Sequence, residues 1–486
     1  MTAEALRVAV LGGGITGLTA AYALGAQASK ESGIPVEVTL LEGDNRLGGK
    51  VRTEQVGQLL FEQAPDSLFV RNPSILDVLR QIGLEDQLVR ADSRHRQSMI
   101  LRDGRLHPLP DGMEGGVPRS VWPLVTTRLL TPFGKLRAAW EWSVPASTKI
   151  EDESVDGFVR RRFGTEVAER IAAPLLGTVA TTDTRRLSLL AAFPHLRAAE
   201  REHGGLLRAG RARRASSSNG SPSANGNGHQ SPFVSLRDGM AALPAAMHAR
   251  LVHVTVRLGA HVRWVRPGTR RGSSGFELTL GDGERLAADR VIVATPAFAA
   301  AEMLQRLSRA AASSLAAIRY GSVVVVALAF EAEAAASLPE GRGFVVAPGE
   351  RRLLAACSWS SRVWPHCAPS GELVVRCHLH AERRPGLLEL DDRSLLDAVR
   401  AELRDVLGIR AKPLVERVYR WPRAIPSYEV GHLNRLAAVA EALNEFPGLV
   451  LAGAGYRGVG VLECMRQGLE AATRVLSDPA AAAAPA

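Results

Sequence analysis

The stretch RVAVLGGGITGLTAAYALGAQASKESGIPVEVTLLEGDNRLGGK, residues 7–50, decides how the whole chain is read. Residues 8–11 are an apolar run of strand type. The run breaks at Gly12, and residues 15–28 then place Leu18, Ala21, Tyr22 and Gly25 on one face of a helix. Between the two lies G-x-G-x-x-G, made of Gly12, Gly14 and Gly17, with Gly13, Ile15 and Thr16 filling the turn. Gly12 permits a tight turn, Gly14 lets backbone approach a pyrophosphate, and Gly17 lets the helix lie close to its strand. The helix N-terminus offers free N–H groups and partial positive charge to that anion. A second apolar strand, residues 36–41, ends at Glu42, followed by Gly43; the carboxylate is placed to accept from a ribose 2′-OH. Alone, the glycine pattern is weak, because glycine-rich turns are common. Strand, helix, second strand and terminal acid in order supply the context that the motif requires.

Just beyond the acid stand Arg46, Gly48, Gly49 and Lys50. A plain nicotinamide dehydrogenase does not usually carry this R-x-G-G. It resembles the second dinucleotide signature of flavoproteins in the amine-oxidase superfamily, where a second glycine pair approaches an extended, non-covalent FAD. The expected cofactor moves accordingly from NAD to FAD, and no metal site is expected.

The length of 486 residues allows two or three domains and a large core. A net charge of +10 raises nucleic acid or an acidic surface as partner. Lysine occurs only at Lys30, Lys50, Lys135, Lys149 and Lys412, so the excess is scattered arginine, without stacking aromatics or a helix-turn-helix pattern. Nucleic-acid binding is therefore not expected. Cys357, Cys367, Cys377 and Cys464 form no C-x-x-C pair, and free thiols in a reducing cytoplasm are the expectation. No signal peptide is expected ahead of the first strand, and no apolar run approaches the roughly 20 residues of a membrane span.

Further along, residues 50–53 and 59–62 read as short strands. The turn Ala64-Pro65-Asp66-Ser67 then feeds a helix over residues 74–82. Asp66 and Ser67 either cap that helix or help set backbone donors over the flavin ring. Residues 95–115 suggest a hairpin, and residues 118–192 turn mainly helical. Within them residues 121–142 carry Trp122, Leu124, Phe133, Trp140 and Trp142 amid arginines. That is either a membrane-touching amphipathic surface or core and channel wall; the interrupting proline and glycine favour the second. Residues 215–231 read as a disordered surface loop, being rich in Ser, Asn and Gly. DRVIVATP, residues 289–296, reads as a strand returning to the dinucleotide sheet, and Val262 falls where a backbone amide meets the adenine. Near the end, residues 449–451 form a strand. Gly453, Gly455, Gly458 and Gly460 then make a second glycine-rich turn before a helix from Glu463, whose N-terminus would stabilise negative charge on a reduced flavin.

These segments together resemble the oxygen-dependent porphyrinogen oxidases of haem biosynthesis. The resemblance spans nearly the whole chain and rests on GGGITGL, RLGGKVRT, APDSL, LHPLP, RGFVV, W-P-H at residues 364–366, WPRAIPSYEVGH and GAGYRGVGVLEC. The last two are the selective ones. GGK followed by an APDS turn is more similar to the soluble bacterial coproporphyrinogen III oxidases than to the membrane-attached protoporphyrinogen type. Where those turns often read GPDS and SFEGVG, this chain has APDS and GYRGVG, so Ala64 and Arg457 bear on substrate fit. The resemblance implies an α/β fold: a discontinuous Rossmann-type FAD domain (residues 1–90, 233–299 and 416–477), an α+β substrate domain (91–117 and 300–415) and a helical insertion (118–196). A disordered insert (197–232) and tail (478–486) complete it. It also implies FAD contacts from the residues above and from Trp421 and Val459, hydride transfer from a meso carbon of the tetrapyrrole, and reoxidation by dioxygen with release of peroxide. The substrate's propionates would need cationic partners, with Arg71 the candidate. No side-chain base emerges; His195, His378 and His380 read as satisfied structural histidines. The alternatives are protoporphyrinogen IX as substrate, another flavin oxidase such as an amine oxidase or carotenoid desaturase, or a non-catalytic flavin-binding protein. The sequence does not set the oligomeric state.

Overall fold

In the computed structural model the described residues are 5–28, 35–70, 75–110, 113–114, 117–118, 120, 122–148, 151–218, 231–270 and 273–477. The expected tail 478–486 and Arg71 lie outside them, as do residues 219–230 of the expected loop.

The N-terminal reading is realised locally. Strand β1 (Leu6–Leu11) runs into helix α1 (Ile15–Ala28), which returns to β2 (Val36–Leu41). The parallel sheet is then completed from far along the chain by β3 (Val254–Arg257), β4 (Arg290–Val293) and β5 (Leu449–Leu451), in the order β3-β2-β1-β4-β5. Its central strands β1 and β4 are largely buried, as continuous apolar runs require, whereas the edge strand β3 has no fully buried residue. Helix α2 (Val461–Leu476) packs on α1 over one face, where Gly468 approaches the Thr16 carbonyl oxygen so closely that a Cβ would sit 2.4 Å away. The nucleotide-binding body is thus discontinuous.

A second, seven-stranded sheet forms the other lobe. It takes the Ser98–Arg102 and Arg105–Pro108 hairpin at one edge and the long strands Tyr320–Phe330, Leu373–His380 and Val415–Pro426 towards the other. The substrate lobe therefore extends past the expected limit at residue 415. The reason is that Val415–Pro426 pairs antiparallel along nearly all of Tyr320–Phe330. On its outer face this sheet packs against the helix Asp392–Leu407, capped by the Asp391 side chain.

The helical lobe departs from expectation twice. Residues 197–218, expected as the front of a disordered insert and the start of its loop, form most of the helices Pro194–His203 and Leu206–Ser218, which meet at Gly204 and Gly205. Their polar composition hides buried ion pairs. Arg162 and Glu141 are both fully buried, with Nε to Oε1 at 2.9 Å; Arg197 reaches Glu200 at 2.8 Å, and Glu141 also accepts from the Leu206 N–H. Charges removed from water survive only when paired this completely. The second departure concerns residues 122–142. Leu124, Leu129, Leu130 and Ala138 are core, whereas Trp122, Phe133, Leu136 and Trp140 are 73, 82, 65 and 63% exposed, so core or channel wall describes only half of the segment. Among the described residues no helix is long and apolar enough to cross a membrane.

Candidate cofactor and substrate site

The two lobes enclose a cavity of about 900 Å³ that both glycine-rich turns line. At Gly12 the backbone turns with φ +102°, a conformation that favours glycine. Gly17 is tight: a Cβ there would lie 1.8 Å from the Gly12 carbonyl oxygen, so helix and strand touch. Gly14 is the opposite case. A Cβ there would meet nothing within 4 Å, because the position looks into the cavity. The RLGG segment joins the same floor. The Gly48 N–H donates to the Gly13 carbonyl at 2.8 Å, and Gly49 backs onto the Gly14 Cα. Arg46 does not line the cavity. Its guanidinium donates to the carbonyl oxygens of Leu47 and Gly49 and holds that loop in shape.

At one end lie Glu42, Gly43, His261 and Val262. The Glu42 carboxylate accepts from the N–H groups of Gly13 (2.5 Å) and Asp44 (2.8 Å), which fixes its orientation and leaves lone pairs facing the cavity. At the other end lie Lys50, Ala64, Pro65, Tyr320, Trp421, Gly453, Gly455, Val459 and Cys464. Trp421 donates its indole N–H to the Gln63 carbonyl at 2.8 Å and stacks under Arg52. The Tyr428 hydroxyl accepts from the Gly458 N–H and donates to the Ala454 carbonyl, each at 2.6 Å, which closes the second glycine turn. Helix α2 begins there, and Val461 of its first turn lines the cavity. Burial holds the Lys50 ammonium below its usual range, and among the described residues it has no carboxylate partner. Burial likewise raises the Cys464 thiol to about 11.

The 64–67 turn is held from outside the nucleotide lobe. Arg376, 2% exposed, pairs with Asp66 at 2.7 Å and donates to the Ala64 carbonyl at 2.6 Å; Ser67 donates to Asp66 at 2.9 Å. Asp66 and Ser67 are therefore neither helix caps nor cavity lining. The strand Leu68–Phe69 follows them, and the next helix, Ile75–Gln81, starts later. Ala64 does line the cavity, and its φ is outside the left-handed region, so the position does not demand the glycine often found there. Arg457 is exposed and away from the lining. Behind the turn, burial lifts the Glu62 carboxyl to about 7 despite bonds from the Met240 N–H and the Thr53 hydroxyl. Two of the three expected structural histidines also differ from expectation. Among the described residues neither His378 nor His380 has a hydrogen-bond partner for its ring, and His378 lines the cavity beside Val179, Val323 and Val325. Arg376 and His378 are what sequence reasoning missed. The signal was the alternation in LVVRCHLH, which puts Arg376, His378 and His380 on one face of an otherwise apolar strand.

FAD fits this cavity on its own terms. The open space at Gly14 suits a close-packed pyrophosphate, two helix N-termini lie at the lining, and a buried ammonium with no carboxylate partner among the described residues suits an anionic group.

Comparison with known proteins agrees with this geometry. The profile of the family described as flavin containing amine oxidoreductases matches residues 15–476. The chain is 34% identical over 473 residues to the coproporphyrinogen III oxidase of Bacillus subtilis (strain 168), covering 97% of this chain and 98% of that one. It is 30% identical to the chloroplastic protoporphyrinogen oxidase 1 of Spinacia oleracea, covering 96% of this chain and 83% of that one. Among solved structures, a protein from Exiguobacterium sp. 255-15 described as a protoporphyrinogen oxidase superposes with a TM-score of 0.83 at 28% identity, covering 97% of this chain and 99% of that one.

Proposed function

This chain belongs to the family of flavin containing amine oxidoreductases, and we propose that it is an FAD-dependent, oxygen-using oxidase that converts coproporphyrinogen III to coproporphyrin III in haem biosynthesis. The observation that carries the substrate class is the wall facing the ring end of the cavity. Val179 from the helical lobe, with Val323, Val325 and the uncharged imidazole of His378 from the sheet, suits the apolar pyrrole and meso-carbon body of a macrocycle better than an ammonium. The near full-length likeness to the Bacillus protein supports the choice of porphyrinogen.

FAD, when bound, supplies hydride acceptance from the meso carbon and passes the electron pairs to dioxygen, giving hydrogen peroxide. The chain's own residues do the rest. The Gly12–Gly17 turn and the first turn of α1 would hold the pyrophosphate by N–H groups, Gly48 and Gly49 would close over it, Glu42 would accept from the ribose and the Val262 amide would meet the adenine. Lys50 and the N-terminus of α2 place positive charge at the ring end, where reduction brings negative charge. Ala64 and Pro65, positioned by Arg376, cover one side, and Trp421, Gly453, Gly455 and Val459 complete the enclosure. Burial holds the Cys464 thiol up at about 11, which favours the protonated form and supports a non-covalent FAD. Arg71 is our candidate partner for a propionate, and the cytoplasm is the compartment that four free cysteines fit best.

The experiment is a comparison of purified protein with coproporphyrinogen III and with protoporphyrinogen IX in air, following porphyrin fluorescence and peroxide. Faster turnover of the dicarboxylate would favour the second reading, which the spinach relative supports. No turnover of either removes the assignment.

A further inference from the structure

We infer that His378 is a catalytic residue that accepts the proton the macrocycle releases as it is oxidised, from a pyrrole N–H in two of the three rounds; the inference rests on the function proposed above. In every two-electron round one meso C–H bond breaks and its electron pair leaves as hydride to the flavin. One proton also leaves, its electron pair staying on the ring as part of a new conjugated double bond; over the three rounds four meso C–H and two pyrrole N–H bonds are lost, so two of the three protons come from nitrogen and the third from the last meso carbon. The hydride has its acceptor in the established chemistry of the family; the proton has none assigned.

The geometry singles out one side chain. His378 lies on the strand Leu373–His380, in register with Val325 on one side and Ala356 on the other, and its face of the strand looks into the cavity. The opposite face, Val375, Cys377 and Leu379, is packed into the core against the Asp392–Leu407 helix, which fixes the direction in which the imidazole points. Among the described residues no group hydrogen-bonds the ring, so a lone pair is free. Burial first, and the neighbouring Arg376 second, hold the ring's pKa at about 4, with Asp66 opposing, so the ring is uncharged at neutral pH. The other titratable groups of the lining are unsuited. Glu42 and His261 sit at the nucleotide end, Glu302 and Arg263 are exposed to solvent, the Tyr320 oxygen already accepts from the Ala297 N–H at 2.9 Å, Lys50 is a cation, and the Cys464 thiol is held towards its protonated form.

The test uses FAD-loaded protein mixed with coproporphyrinogen III without oxygen, with loss of the flavin band as the single-turnover readout. His378→Ala and His378→Gln are each expected to slow it 100-fold or more, the usual range for a lost general base. Retained FAD and coproporphyrin III affinity within about threefold, measured by fluorescence quenching, separates loss of the proton step from loss of the site. Added imidazole restores the alanine variant, and a substituted imidazole series restores it better as the base strengthens; a merely structural histidine would show neither effect. Should the alanine variant fail to keep FAD, the glutamine variant decides by the same rate. Single-turnover rates within threefold of the parent, or no rescue, overturn the inference while leaving the proposed function intact. An inactive parent protein overturns both.

Discussion

Gly14→Ala is expected to strengthen the FAD-free protein and weaken the FAD-bound one. The methyl would meet nothing within 4 Å, and Gly14 is not among the positive-φ glycines, so alanine adopts the backbone without strain. The bond from the Leu18 N–H to the Gly14 carbonyl at 2.9 Å is untouched. Fewer conformations in the unfolded chain should then stabilise the apoprotein by about 0.4–1 kcal/mol. In the complex the methyl occupies the space given to the pyrophosphate, and overpacking of one carbon costs about 1–3 kcal/mol, a roughly 5- to 150-fold weaker Kd. At an FAD concentration about 100 times the parent Kd, the ligand adds about 2.7 kcal/mol to the parent. A variant binding about 100-fold more weakly would gain only about 0.4 kcal/mol. The two proteins should therefore exchange order of stability when FAD is added. Chemical denaturation with and without FAD, together with a flavin fluorescence titration, reads both halves. A variant that binds FAD as tightly as its parent, or whose apoprotein is weaker by more than about 1 kcal/mol, would refute the reasoning.

Three further outcomes are expected. Gly17→Ala, whose Cβ would lie 1.8 Å from backbone oxygen, should destabilise apo and FAD-bound protein alike by about 3 kcal/mol or more, seen as a matching fall in both denaturation midpoints. Arg376→Gln leaves Asp66 unpaired; because that carboxylate is 31% exposed, the cost should be about 2 kcal/mol, below the full penalty for a buried pair, and a cycle with Asp66→Asn should recover much of it. Glu62 binds its proton more tightly in the folded state, with a pKa of about 7 against an ordinary 4.5. Its contribution is complete below pH 4.5 and is lost as pH rises through 7, a loss of about 3 kcal/mol. Glu62→Gln should therefore gain on its parent across that window in denaturation midpoints, and parallel pH curves would exclude the effect.

How far the sequence was legible follows from how local each cause is. Helix Ile15–Ala28 and strands Val36–Leu41 and Leu449–Leu451 fall where periodicity and glycine place them, because turn chemistry and apolar runs act over a few residues. The pairing of Arg376 with Asp66 spans 310 residues, and no local rule links them. Residues 197–213 look solvated residue by residue, yet Arg197 and Glu200 bury each other's charge in a helical pair at i, i+3. Trp122 and Trp140 carry the opposite lesson. Their apolar character suggested core, and the fold leaves them in solvent.

The strand order β3-β2-β1-β4-β5 also sets a clock on biosynthesis. β1 ends at Leu11 and β5 begins at Leu449, 438 residues later. At ~5–20 residues per second, a ribosome needs about 20–90 s to deliver the last strand after the first. Through that interval the nascent chain carries a half-built sheet with open edges, the kind of surface that holdase chaperones recognise. Any premature stop upstream of Leu449 would leave a product that is long, sticky and colourless.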